Sequence, residues 1–355
     1  MKKMRCKIIF AMILMVGLAL LCNTTASQAA EKQIVLRTQT AWSAGFAYND
    51  FHNRQMDMIE KISGGRVKFE RHYSGELCPS FEVWKAAGKG VIDVGFACNC
   101  YTIGRSYASA FFCSAPSWGP VEKLAWLFEG GGLPILQDMM KKKYNVMTLP
   151  AMPTTTEVFL YSRKSINSVD DLKKLKIRSA GIRGDVFKAA GASVVTLPLG
   201  DLIPAMEKGV VDAAEFSNLF ADVPFGFQDV CNYIYLAPTA NAPHIMMILN
   251  LDTWNKLPKD IQQIFKEVGI ESSYYTLGKT IVDDFLTMEK IGKTSDVKIL
   301  SLPKEVDDYI NQTAKKLYAE KEKEDPDLKR VLDSINHFLD PEKQGRFIPL
   351  VDDLF

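Results

Sequence analysis

Alternation and periodicity divide the chain into a repeating series of short strands and helices. Gln33 to Thr40 reads as an opening strand that runs into Ala41-Trp42-Ser43. A helix carrying Phe51, Met56, Met58, Ile59 and Ile62 follows. Ser63-Gly64-Gly65-Arg66 is a turn, and Val67 to Tyr73 alternates as a second strand. Phe81 to Ala87 is helical and stops at Gly88-Lys89-Gly90. Val91 to Phe96 is the next strand. This β-α-β-α-β order predicts a parallel sheet with helices on its faces.

The second half repeats that grammar. Tyr144 to Leu149 and Glu157 to Tyr161 read as strands. Ser168 is a hydroxyl N-cap before the acidic first turn Asp170-Asp171. Lys176 to Arg178 is a short strand, Gly184 to Ala190 a helix, and Ser193 to Leu197 a strand. Leu202, Ile203, Ala205 and Met206 mark a helix broken at Gly209. Val210 to Ala214 then forms a strand that ends on Glu215. Lys89 to Phe96 and Lys208 to Glu215 pair by eye, each a Gly stop and a strand with Asp at the same place. His244 to Asn250 is another strand. Leu257-Pro258-Lys259-Asp260 opens a helix reaching about Lys290, roughly 45 Å and longer than one lobe. Val297 to Leu302 is a strand, and from Glu305 on the chain is charged and helical.

The predicted fold class is α/β, a two-lobed clamshell. Each lobe is a mostly parallel sheet flanked by helices, and one long helix spans both. Residues 30–153 and 243–275 are assigned to lobe 1, 154–242 and 276–320 to lobe 2, and 321–355 to a C-terminal helical extension. In that extension Phe338, Leu339, Phe347, Leu350 and Leu354 offer apolar surface for a homodimer or for packing within the chain. Clefts between lobes hold small ligands, beyond the carboxyl ends of strands.

Composition narrows the classes. The 355 residues are 47% apolar, enough for two lobes. The formal net charge of +1 gives no field that would gather nucleic acid. Residues 1–29 read as a signal peptide: a basic MKKMRCK, an apolar run, and Ser27-Gln28-Ala29 before the cut, with Ala30 the neighbouring option. Cys22 would mark a lipid anchor, but Leu20-Leu21 are poor small-residue positions ahead of it. The expected location is periplasmic. Five cysteines remain after cleavage, so at least one is unpaired. Cys98 and Cys100 suggest a metal site, but zinc sites show a second close pair, and packing near a strand end is the simpler expectation.

Enzyme signatures are missing. The four histidines sit in no protease, hydrolase or kinase motif. Gly130-Gly131-Gly132 with Leu133-Pro134 reads as a turn. Glu157 and Glu215 could be an acid/base couple on paper, without a visible carbohydrate groove to serve. The chain is therefore expected to bind rather than catalyse.

Several landmarks occur together: the Lys-Gly-x-x-Asp strand in each half, Leu172-Lys173-Lys174-Leu175-Lys176-Ile177-Arg178, and Ala205 to Ala213. With the signal peptide, the chain resembles the extracytoplasmic solute-binding subunit of TRAP transporters, which have the periplasmic-binding-protein clamshell. Ala214-Glu215-Phe216, Phe225-Gly226-Phe227, Tyr233-Ile234-Tyr235, Tyr101 to Gly104 and Ala110-Phe111-Phe112 are most similar to the branch that binds 2-oxo acids with a metal ion. Phe216 replaces that branch's Trp, Glu157 stands where Gln is expected, and Asn241 where a third acidic ligand is expected.

The resemblance implies that Arg178 clamps a carboxylate, as a planar two-pronged donor can. It implies a ligand set of Arg178, Phe216, Trp42, Tyr101, Asn99, Glu157, Glu215 and Asn241, with Glu157, Glu215 and Phe216 at a metal. Glu157, Glu215 and an acid's carboxylate against Arg178 alone leave about −2. A hard ion, Ca²⁺ or Na⁺, would offset this; so would a ligand ammonium, which would make the ligand an amino acid. The implied ligand is a small organic acid, a 2-oxo or 2-hydroxy monocarboxylate with room for a bulky or aromatic side chain. The implied partners are TRAP membrane permease subunits; a sensory binding module on the same clamshell is the other reading.

Overall fold

The computed structural model describes residues 33–114, 119–238 and 240–339. The expected signal peptide lies outside these residues, as do Phe347, Leu350 and Leu354 of the extension.

Among the described residues, eleven strands form two sheets. They are β1 (Ile34–Thr40), β2 (Val67–His72), β3 (Val94–Ala97), β4 (Val146–Pro153), β5 (Leu160–Ser162), β6 (Lys176–Arg178), β7 (Ser193–Val195), β8 (Ala213–Ala214), β9 (Tyr233–Leu236), β10 (His244–Asn250) and β11 (Lys298–Ser301). One sheet has the order β2-β1-β3-β10-β4 and the other β7-β6-β8-β5-β9-β11. In the first, only β10 runs antiparallel to its neighbours. In the second, only β5 does. The first five strands of each order therefore correspond one to one, and β3 matches β8.

The repeated Asp explains itself here. Asp93 and Asp212 sit just before β3 and β8. Their carboxylates accept the backbone N–H of Arg37 and of Lys176, both at 2.9 Å. Each extends strand pairing to the amino end of the sheet. The strands are shorter than the sequence suggested. Gly90 and Gly209 turn with φ of 72° and 69°, and Val91 and Val210 remain in those turns, exposed.

The chain crosses between sheets at 154–159, between β4 and β5, and returns at 237–243, between β9 and β10. The crossings run side by side: Thr154 N–H donates to Pro243 C=O at 2.8 Å and Glu157 N–H to Asn241 C=O at 2.7 Å. Glu157 therefore belongs to a crossing and not to a strand, a correction to the sequence reading. β5 begins only at Leu160, because Val158 N–H is spent on Ser217 C=O.

The long helix runs over Lys259–Thr294, 36 residues, about 54 Å at 1.5 Å per residue. Its Glu271 accepts two hydrogen bonds from Arg54 of the helix Tyr48–Ile62, at 2.9 and 2.7 Å. Its Asp284 accepts from Phe220 N–H at 2.8 Å and from the Thr155 hydroxyl. One helix thus grips both halves. Leu133-Pro134, expected in a turn, falls in the first turn of the helix Gly132–Tyr144, where proline displaces no intrahelical bond. The helix Pro326–Phe338 buries Leu328, Val331 and Ile335 within the chain. Trp126 donates to its Ser334 at 3.1 Å, and Arg330 pairs with Asp138 at 2.7 Å.

Burial raises the Asp284 carboxyl from 3.8 to about 6. The folded chain thus holds a proton that the unfolded chain loses above 3.8. This stabilisation is complete below 3.8 and is lost as pH rises through 6, up to about 3 kcal/mol. Asp284→Asn is expected to remove that part of the slope, read as the difference between wild-type and variant urea melts at pH 4 and pH 7.

Candidate functional site

Four strand ends and two crossings meet at one cavity of about 30 Å³, room for about one or two waters. From the first sheet come Trp42 after β1, and Cys98, Cys100 and Tyr101 after β3. From the second come Arg178 and Ala180 at the end of β6, and Glu215, Phe216 and Ser217 after β8. Glu157 and Asn241 enter from the two crossings. Of the eight ligand residues expected from sequence, seven line this cavity. Asn99 does not: a short 3-10 turn, Asn99–Thr102, carries it into full burial, where its side-chain amide has no hydrogen-bond partner among the described residues.

Arg178 is 2% exposed and held on one edge. Its Nε donates to Leu197 C=O at 2.9 Å and its Nη1 to Glu215 C=O at 2.7 Å. The guanidinium carbon lies 4.8 Å from the centre of the Phe216 ring. A fork fixed this way presents its remaining N–H groups without further loss of rotamer freedom, which suits a carboxylate.

The carboxylates are buried beside it. Glu215 accepts the Ser179 hydroxyl at 2.8 Å. Burial raises its carboxyl, with Arg178 and Arg183 pulling the other way. Burial raises Glu157 well above the usual range, and repulsion from Glu215 adds to it. The Phe216 carbonyl accepts no backbone hydrogen bond among the described residues. Glu157, Glu215 and Phe216 line one cavity, and carboxylate and carbonyl oxygens are the donors that hard cations take, so the residues present fit calcium or sodium.

The charge count made from sequence is corrected. Arg183, 4% exposed, lies over Phe159 and Phe187, and its field reaches both Glu157 and Glu215. Lys123, 3% exposed, donates to Cys113 C=O at 3.0 Å and to Ala242 C=O at 2.9 Å, and burial lowers it to about 8. With these two cations, and the buried carboxylate Asp222 that also repels Glu157, the deficit falls from −2 to −1. The case for a metal rests on the donor set and on the mutual repulsion of Glu157 and Glu215.

Residues missed in sequence close the cleft. Tyr48 O–H bonds to the Ser217 hydroxyl and to Asn218 Oδ1, the latter at 3.1 Å, joining the two walls. Phe46 and Phe227 pack on the Phe216 ring with centroids 5.7 Å away in each case. The Phe216 ring is thus backed by two further rings where it lines the cavity. Gly181, φ 63°, lies so near Cys100 that a Cβ would come within 2.7 Å of the Cys100 Cβ. A wider groove of about 690 Å³ runs along the outer side of the crossings and shares Glu157 with the cleft. Arg178 and Glu215 line the smaller cavity and not the groove.

Residues 40–325 match the DctP family, described as bacterial extracellular solute-binding protein, family 7. The chain is 32% identical over 259 residues to a monocarboxylate 2-oxoacid-binding periplasmic protein of Nostoc sp. (strain PCC 7120), covering 72% of this chain and 71% of that one. It is similar in structure to a TRAP periplasmic solute binding protein from Colwellia psychrerythraea with bound calcium and pyruvate, at TM-score 0.84 and 25% identity, over 91% of this chain and 98% of that chain. It is also similar to a TRAP transporter solute binding protein from Bordetella bronchiseptica RB50, a mixed occupancy dimer with copurified calcium and picolinate, at TM-score 0.84 and 25% identity, over 90% and 95%. The chain belongs to the DctP family of bacterial extracellular solute-binding proteins, family 7, and is a TRAP solute-binding protein.

Proposed function

We propose that this chain captures a small 2-oxo or 2-hydroxy monocarboxylate together with a hard cation in the periplasm, and delivers it to TRAP membrane permease subunits. The observation that carries the reading is Arg178, fixed on one edge and facing the cavity that Glu157 and Glu215 share. In this reading Arg178 takes the acid's carboxylate. Glu157, Glu215 and the Phe216 carbonyl would hold the cation, which would supply positive charge to the acid's oxygens. Trp42, Tyr101 and Asn241 complete the walls. The relatives support the choice of ligand: one is named for monocarboxylate 2-oxoacids and another holds calcium with pyruvate. No reaction step is needed; closure of the two walls is driven by contacts that form only when they meet.

Calorimetry with pyruvate-like 2-oxo acids, 2-hydroxy acids and amino acids, with added calcium and then with chelator, tests this. Binding of the oxo acids that needs calcium is the expected result. Amino acids that bind regardless of chelator would replace the cation with a ligand ammonium. No acid bound under any condition would end the proposal.

A further inference from the structure

The first-sheet wall of the cleft carries chemistry that the acid site does not use. Cys98 and Cys100 follow β3, and Cys113 stands on the helix Tyr107–Ser114. Their three sulfurs lie within 4.8 Å of one another, and all three residues line the cavity. All three are free thiols. Packing alone was the expectation for Cys98 and Cys100; the third sulfur, brought from another element, changes it. The trio is anchored on each side: Trp84 Nε1 donates to Cys98 C=O at 2.9 Å, Lys123 to Cys113 C=O at 3.0 Å, and Gly181 closes on Cys100.

We propose that Cys98, Cys100 and Cys113 bind one thiophilic divalent cation of the zinc class as three thiolates, with the fourth coordination position open to the cleft. Thiolate sulfurs select such ions over the hard cations that the oxygen site takes. Zinc held tetrahedrally at about 2.3 Å needs sulfurs about 3.8 Å apart, a modest contraction of the observed cluster. On binding, three S–H bonds break, three metal–sulfur bonds form, and three protons leave to water. The Lys123 ammonium offsets part of the net negative charge of the loaded site.

Cadmium, a zinc surrogate whose thiolate complexes absorb in the ultraviolet, is the probe. Titration of the reduced mature protein is expected to give a thiolate charge-transfer band that saturates at one ion per chain. Cys113→Ser should weaken binding by at least about tenfold, since even outer-shell partners of metal ligands are worth that much. Cys231→Ser, outside the cluster, should leave it unchanged. ¹¹³Cd NMR of the wild-type protein counts the bound sulfurs directly and needs no variant to fold. A cadmium signal with oxygen ligation only, an unchanged titration in Cys113→Ser, or a disulfide within the trio of the exported protein would each overturn the proposal.

Discussion

Arg178→Ala is expected to lower affinity for the captured acid by about two to three orders of magnitude. The guanidinium offers its open edge to a carboxylate in a cavity shut off from water. Truncating one partner of such a pair costs about 2–5 kcal/mol, and each 1.4 kcal/mol is tenfold in affinity. The alanine variant also strands Leu197 C=O and Glu215 C=O, which Arg178 now satisfies. Part of the loss could then come from a loosened strand end. Arg178→Lys separates the causes: it keeps the charge and loses the planar fork. Calorimetry should rank wild type above Lys and Lys above Ala, and the drop in melting temperature of each variant reads the part of the loss that comes from the strand end. Equal affinities would remove Arg178 from the site.

Glu215→Gln is expected to abolish the effect of calcium on acid binding, so that chelator no longer changes the calorimetric isotherm. Glutamine keeps the size of the side chain and an acceptor for the Ser179 hydroxyl but supplies no charge, and calcium affinity follows the charge count of its ligands. The pH dependence carries a second signature. Glu157 is held well above the ordinary carboxyl range by burial and by Glu215. Calcium binds its deprotonated form and therefore releases a proton on entering. Calcium affinity should rise with pH above 4.5, the ordinary glutamate value, and fall as acid protonates Glu157. Titration in buffers of different ionisation enthalpy would read the released proton directly. Calcium affinity independent of pH would place the ion elsewhere.

Much of this architecture was legible because local chemistry and global fold agree. Ser168 caps its helix through Asp171 N–H at 3.2 Å, and Lys176–Arg178 is the short strand expected. The two Lys-Gly-x-x-Asp segments occupy matching strands of matching sheets. Glu157 was misread because an apolar run after a carboxylate looks like a strand, and only the pairing of the two crossings decides otherwise. Asn99 was misplaced because a 3-10 turn after a strand has no strong local signal.

The missed cations divide in an instructive way. Arg183 shares a helix face with Val186 and Phe187 at i+3 and i+4, so its burial was readable from spacing. The same holds for Lys123 with Trp126 and Leu127. The meeting of Cys113 with Cys98 and Cys100 depends on how a helix packs over a strand end, which no spacing encodes.

Glu157 rides on a crossing, tied by its own N–H to Asn241, while Arg178 and Tyr101 ride on opposite jaws. Arg178 shares its jaw with Glu215 and Phe216: it donates to Glu215 C=O and lies over the Phe216 ring. In the proposed reading, separation of the jaws would therefore keep the acid's carboxylate and two of the cation's donors together on one side, and part them from Trp42 and Tyr101 on the other. Release would then need a second event after opening, with one jaw carrying the cargo until it is handed on.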